Sequence, residues 1–116
     1  MVKLDMNGSY ELKKEKIEEK ITKISSGNYA LGHIKDKSFI VEYVGRSDDD
    51  LNKRLIKWVS SYKRFKFSYA TSPKAAFEKE CKNYHDFGEN KSLDNKIHPD
   101  RPDGSSWACS DCDIYD

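Results

Sequence analysis

The stretch that decides the fold is NYALGHIKDKSFIVEYV, residues 28–44. It predicts two strands, 28–35 and 38–44, which a tight turn at Lys35-Asp36-Lys37 joins into a hairpin. Side chains alternate between the two faces of a strand, and the second strand is rich in residues that favour strands. One face carries Phe39, Val41 and Tyr43, and the other carries Ile40, Glu42 and Val44. An antiparallel β-hairpin is therefore expected.

Helices and a third strand are predicted on either side of the hairpin. Residues 9–25 have the apolar spacing of an amphipathic helix, and a second helix is predicted at 49–62. Residues 65–70 alternate aromatic and polar side chains, as a strand does. Ser72 followed by Pro73 indicates the start of a last helix, which extends to about Phe87. The fold class is α/β (α+β), a small three-stranded antiparallel sheet flanked by helices.

Composition limits the class of protein. The chain has 116 residues, which is the size of one domain, with 36% hydrophobic and 35% charged residues. No apolar run reaches the ~18–20 residues of a membrane span, and residues 1–5 lack the apolar core of a signal peptide. We expect a cytoplasmic protein that does not bind membranes.

The charge distribution is more informative than the net charge of +1. Residues 46–66 contain seven cations and three acids. Such a stretch is able to bind phosphates, although the solvated face of a Lys-rich helix explains it equally well.

Two pairs of residues have the spacing of zinc ligands. Cys81 and His85 are one helical turn apart, and Cys109-x2-Cys112 has the spacing of a zinc knuckle. Residues 89–106 are rich in Asn, Asp, Pro, Gly and Ser, so a structural Zn²⁺ would fasten this irregular tail to the last helix. His98 is the rival of His85 as fourth ligand. A buried Cys81 with an incidental CxxC is the alternative.

Four side chains have the chemistry that phosphodiester hydrolysis needs. The reaction needs a proton acceptor, a cation that binds the phosphate and an acid that holds a divalent metal. Tyr29 and Tyr43 lie on the predicted hairpin, Arg54 on the next helix and Glu80 on the last one. Each also has an ordinary explanation, since strand tyrosines usually pack and helical charges are usually solvated.

The order of these residues resembles that of the GIY-YIG nuclease superfamily. The motifs that carry the resemblance lie within residues 27–95: Gly27-Asn28-Tyr29, Tyr43-Val44-Gly45 followed by Arg46-Ser47, Leu51-Asn52-Lys53-Arg54-Leu55, Ala76-Phe77-Glu78-Lys79-Glu80 and Leu93-Asp94-Asn95. Asn28 stands where the family usually has isoleucine. The zinc-like tail is an addition found in some members.

The resemblance implies a DNA endonuclease that depends on Mg²⁺ or Mn²⁺. Glu80 would hold the metal, Tyr29 would accept a proton from the attacking water, Tyr43 would orient the water or phosphate, and Arg54 would bind a phosphate oxygen. Asn95 is a further candidate site residue. The pKa of Tyr29 would have to fall from its ordinary ~10 for this role. The implied DNA-backbone contacts are Arg46, Lys53 and Lys57.

The resulting domain plan has an N-terminal helix (1–26), a catalytic core (27–88) and a zinc-binding tail (89–116). A nuclease of this size either has low specificity, forms a homodimer or is recruited by another protein. Two other functions fit the same residues. One is a non-catalytic nucleic-acid-binding module of the same fold. The other is a zinc-stapled protein-interaction domain with contacts at Trp107 and Tyr115.

Overall fold

The computed structural model describes residues 6–87 and 93–94. These residues form an α+β fold in which one four-stranded antiparallel sheet is flanked by helices. In chain order the elements are β1 (Asn7–Glu11), α1 (Lys14–Lys20), β2 (Gly27–Lys35), β3 (Ser38–Ser47), α2 (Leu51–Ile56), β4 (Arg64–Tyr69) and α3 (Pro73–Asp86). The strand order in the sheet is β1-β4-β2-β3.

The prediction of three strands was wrong because part of the predicted N-terminal helix is a strand. Residues 9–25 form the end of β1 and the short helix α1 instead of one long helix. β1 pairs with β4, and the ring of Tyr10 lies 5.6 Å from that of Phe65. Pairing with a strand that is distant in the sequence, and aromatic contact across it, outweigh the local helical periodicity of these residues.

The predicted hairpin is confirmed, and its turn has the geometry that such a hairpin requires. β2 and β3 pair from Gly27↔Ser47 to Lys35↔Ser38. The two turn residues have positive φ angles, 51° at Asp36 and 66° at Lys37. Positive φ at both central residues is the mark of a type I′ turn, whose twist matches that of the strands. β3 continues past Gly45 to Ser47, which places Arg46 within the sheet.

The helices after the hairpin differ from the predictions in length. α2 ends at Ile56, well before the expected end at residue 62. Ser60 has a φ of 78°, a conformation that an α-helix cannot include. α3 is confirmed, with the Ser72 hydroxyl accepting a hydrogen bond from the Ala75 amide at 3.1 Å as its N-cap. No helix in residues 6–87 is long and apolar enough to cross a membrane.

The sheet separates two apolar clusters in the described part of the chain. The larger cluster, on the α1 and α2 side, contains Leu12, Ile17, Ile21, Tyr29, Leu31, Leu51, Leu55, Phe65 and Phe67. The smaller cluster, on the α3 side, contains Ala30, Val44, Tyr84 and Leu93. Neighbouring residues of β2 therefore belong to opposite layers, because side chains alternate along a strand.

Candidate active site

Four of the five predicted catalytic residues and the predicted DNA contact Arg46 line one cleft. Its volume is about 320 Å³, and its walls are formed by Tyr29, Tyr43, Gly45, Arg46, Asp48, Arg54, Trp58 and Glu80. These residues come from β2, β3, α2, α3 and the segments next to them. The cleft thus brings two phenols, two guanidinium groups and two carboxylates to one place.

Gly45 allows the ring of Tyr29 to lie in the wall of the cleft. The two residues are opposite each other in the β2–β3 pairing. A Cβ at Gly45 would overlap Cζ and Oη of Tyr29. The ring of Tyr29 also stacks on that of Tyr43, with centroids 6.4 Å apart and planes 18° apart. Glycine at this position is therefore required by the tyrosine across the strand pair.

Trp58 holds the Tyr29 hydroxyl. Its indole Nε1 donates a hydrogen bond to Tyr29 Oη at 3.0 Å, and its ring lies 4.6 Å from that of Tyr43. Burial raises the pKa of Tyr29 well above 10, and the neighbouring Tyr43 adds to the rise. The hydrogen bond from Trp58 and the charge of Arg54 act in the opposite direction. Without bound ligands Tyr29 is thus a neutral phenol at physiological pH, whereas the proposed proton acceptor needs a lowered pKa.

Glu80 is a buried carboxylate paired with Arg46. Only 7% of the residue is exposed, and its Oε1 accepts a hydrogen bond from Arg46 Nη1 at 2.5 Å. Burial raises the pKa of Glu80 from 4.5 to about 7, and the charge of Arg46 limits the rise. The same carboxylate contributes to a raised pKa at Tyr43, after the burial of that side chain. Glu80 therefore titrates near neutral pH.

Arg54 is an exposed cation that lines the cleft. It also lines a neighbouring cavity of about 280 Å³, together with Lys53 and Lys57. The acids Asp49 and Asp50 line that cavity as well. Arg54 thus borders both cavities, and Lys53, Lys57 and the two acids lie beside it in the second one.

The donor set of the cleft suits Mg²⁺ or Mn²⁺ better than zinc. Mg²⁺ keeps several waters and is commonly bound by one or two carboxylates together with substrate phosphates. Glu80 is a buried carboxylate of this kind. Its Oε1 accepts the hydrogen bond from Arg46. No group of three or more His, Cys, Asp or Glu side chains in the described residues is arranged to hold an ion. Glu80 fits a metal that takes its remaining ligands from water and phosphate.

The predicted zinc ligands fall partly outside the described residues. Cys81 and His85 both lie on α3, where Cys81 is fully buried and the His85 ring packs 5.4 Å from that of Tyr84. Cys109, Cys112, the rival ligand His98 and the candidate Asn95 lie outside residues 6–87 and 93–94. The zinc site and the role of Asn95 remain predictions.

Sequence reasoning missed two side chains of the cleft. Trp58 and Asp48 line the cleft, but neither is among the site residues predicted from the sequence. Asp48 accepts a hydrogen bond from Arg46 Nε at 2.9 Å. The spacing of two residues at the end of a strand was a signal for this pair, because such residues point to the same side. No local signal identifies the contact between Trp58 and Tyr29, which are 29 residues apart.

No family model matches the chain, and no match was found among curated proteins or solved structures.

Proposed function

We propose that this chain is a GIY-YIG-type endonuclease that hydrolyses phosphodiester bonds in DNA with Mg²⁺ or Mn²⁺. The observation that carries the proposal is the meeting of Tyr29, Tyr43, Arg54 and Glu80 around one cleft. They are spread over more than fifty positions of the chain and come from four different elements. Packing alone gives no reason for two cations and a buried carboxylate to gather beside two tyrosines.

Arg54 and Glu80 supply the two charges that the reaction needs. The exposed guanidinium of Arg54 binds a phosphate oxygen, with a planar geometry that lysine does not reproduce. Glu80 holds the divalent cation, which when bound supplies Lewis-acid stabilisation of the charge on the phosphate. Lys53 and Lys57, next to Arg54, contact the neighbouring phosphates of the strand.

Tyr29 and Tyr43 position the attacking water. As a neutral phenol that accepts a hydrogen bond from Trp58, Tyr29 still has its own O–H to donate toward the cleft. Tyr29 accepts a proton from the attacking water only as a phenolate, which forms when positive charge in the cleft has lowered its pKa and its own proton has been released to solvent. Trp58 and Arg54 already act in that direction. Tyr43 is half-buried and stacked on Tyr29, and it makes a second contact to the attacking water.

The test is a plasmid-nicking assay with Mg²⁺ and with Mn²⁺. We expect Arg54→Gln and Glu80→Gln each to lower nicking by about 10²–10³-fold, because each removes a preorganised charge from the reacting phosphate. Glu78→Gln is the matched control, since it makes the same change on the same helix at a residue that does not line the cleft. Full activity in both cleft variants would refute the mechanism. DNA binding by a wild-type protein that does not nick would favour the non-catalytic binding module.

A further inference from the structure

We propose that Arg46 takes the place of the divalent cation at Glu80 when no metal is bound, and that metal binding releases its guanidinium to the substrate phosphate. Arg46 would then couple the binding of metal to the binding of nucleic acid. The proposal rests on the function proposed above.

Arg46 is held by three contacts inside the cleft wall. It donates to Glu80 Oε1 at 2.5 Å and to Asp48 Oδ1 at 2.9 Å, and its guanidinium carbon lies 5.2 Å from the centre of the Phe77 ring. The side chains of Arg46 and Glu80 are only 12% and 10% exposed. In this position the charge of Arg46 is already compensated by two carboxylates, so it attracts a phosphate weakly.

A divalent cation and this guanidinium compete for the same carboxylate. Both are positive, and the repulsion between them is stronger in a partly buried site than in water. A metal ion that binds Glu80 must therefore weaken or break the Arg46–Glu80 ion pair. The bond to Asp48, a more exposed carboxylate, is able to persist while the guanidinium turns toward the cleft.

The released guanidinium lies in the cleft that Arg54 also lines. Two arginines then face the phosphate in place of one. Because binding free energies are linked, a metal that frees Arg46 strengthens the binding of phosphate, and phosphate strengthens the binding of metal by the same factor.

Arg54 is the matched control for this proposal. It lines the same cleft and carries the same charge, but it is exposed and forms no ion pair within the described residues. Removing either arginine changes the net charge of the cleft equally. Only the removal of Arg46 also removes the cation that is paired with the Glu80 carboxylate.

The first measurement is the affinity of Mg²⁺ alone, by calorimetry without DNA at pH 8.5, where protons compete little for Glu80. We expect Arg46→Gln to bind Mg²⁺ about 5- to 150-fold more tightly than the wild type, the range of ordinary coupling between sites. Arg54→Gln should change the affinity much less. An equal or weaker affinity in folded Arg46→Gln would overturn the proposal.

The second measurement is the affinity for a short labelled DNA duplex, by fluorescence anisotropy in EDTA and in Ca²⁺, with gels to show that the DNA stays intact. The wild type should bind DNA more tightly in Ca²⁺ than in EDTA. Arg46→Gln should lose most of this difference, whereas Arg54→Gln should keep it while binding less tightly in both buffers. The same metal-dependent gain in Arg46→Gln as in the wild type would overturn the coupling.

Near-ultraviolet circular dichroism shows whether the variants are folded. If Arg46→Gln does not fold, Arg46→Lys keeps the charge but cannot bridge both carboxylates, and we expect a smaller gain in Mg²⁺ affinity. An unchanged affinity in Arg46→Lys would then count against the proposal. If the wild type nicks DNA but Arg46→Gln binds Mg²⁺ no more tightly than the wild type, the role of Arg46 is overturned and the endonuclease is not. A wild type that neither binds Mg²⁺ nor nicks DNA overturns the endonuclease as well.

Discussion

Gly45 illustrates how a single missing side chain shapes the cleft. The ring of Tyr29 fills the space where a Cβ at Gly45 would lie. Gly45→Ala should therefore push the ring out of the cleft wall and break its hydrogen bond with Trp58. We expect a loss of about 1–3 kcal/mol in the free energy of unfolding, as for other overpacked sites, together with at least about a tenfold loss of nicking.

Urea unfolding and the nicking assay check this expectation. Ile40→Ala, at an exposed position of the same strand, controls for the effect of alanine on strand stability. A Gly45→Ala protein with the stability and activity of the wild type would show that the ring of Tyr29 does not depend on this glycine.

Glu80 should make the stability of the metal-free protein depend on pH. Its pKa is raised from 4.5 to about 7 on folding, so the folded protein binds the extra proton between these values. Protonation of Glu80 stabilises the folded protein. This stabilisation is fully present below pH 4.5 and is lost as the pH rises to about 7. The ionised form then costs about 3 kcal/mol relative to the protonated form.

Glu80→Gln mimics the protonated form at every pH. We expect it to match the wild type near pH 4 and to be more stable by about 3 kcal/mol at pH 8. Unfolding by urea in EDTA across this range measures the difference. Parallel stability curves for the two proteins would contradict the raised pKa.

The motif residues of the cleft were predicted from sequence, whereas their protonation states were not. The types and order of Tyr29, Tyr43, Arg54 and Glu80 are visible in the chain itself. The pKa shifts of Tyr29 and Glu80 arise from burial under residues of other elements. Burial of that kind has no local signature.

At the scale of elements, the hairpin turn has a conformational cost that one substitution removes. Asp36 and Lys37 both have positive φ angles, and a non-glycine residue pays about 1 kcal/mol or more for that conformation. Asp-Gly is among the preferred pairs for a type I′ turn. We expect Lys37→Gly to raise the free energy of unfolding by about 0.5–1 kcal/mol, because relief at the turn exceeds the entropy cost of glycine.

Thermal or urea unfolding measures this change. Lys35→Gly is the matched control, since Lys35 pairs with Ser38 in the ladder, where glycine should destabilise. Destabilisation by Lys37→Gly of the same size as by Lys35→Gly would contradict the assignment of the turn.

The elements that the sequence predicted well are those with strong local signals. The hairpin has strand residues on both sides of a turn, and α3 has Ser72 and Pro73 at its start. The N-terminal segment has only an apolar spacing, and β1 exists because β4 offers it an edge to pair with. Where the local sequence signal is weak, strands that are distant in the sequence decide which secondary structure a segment adopts.

At the scale of the whole molecule, the tail is predicted to bind one zinc ion per chain. Elemental analysis of the purified protein should find zinc, and Cys109→Ser or Cys112→Ser should lose it, because each removes one thiolate of a four-ligand site. His85→Ala and His98→Ala, compared with each other, identify the fourth ligand. A protein that contains no zinc and keeps its stability in a strong chelator would refute the site.

The sequence by itself determined the α+β class, the β2–β3 hairpin, the last helix and the set of candidate site residues. It did so because turn chemistry, helix caps and side-chain alternation act over a few neighbouring residues. The tertiary structure decided the fourth strand, the cleft that joins β2, β3, α2 and α3, and the pairing of Arg46 with Glu80, 34 residues away. Contacts between distant segments, and the loss of water that accompanies them, set these features, and neither can be computed from one segment alone.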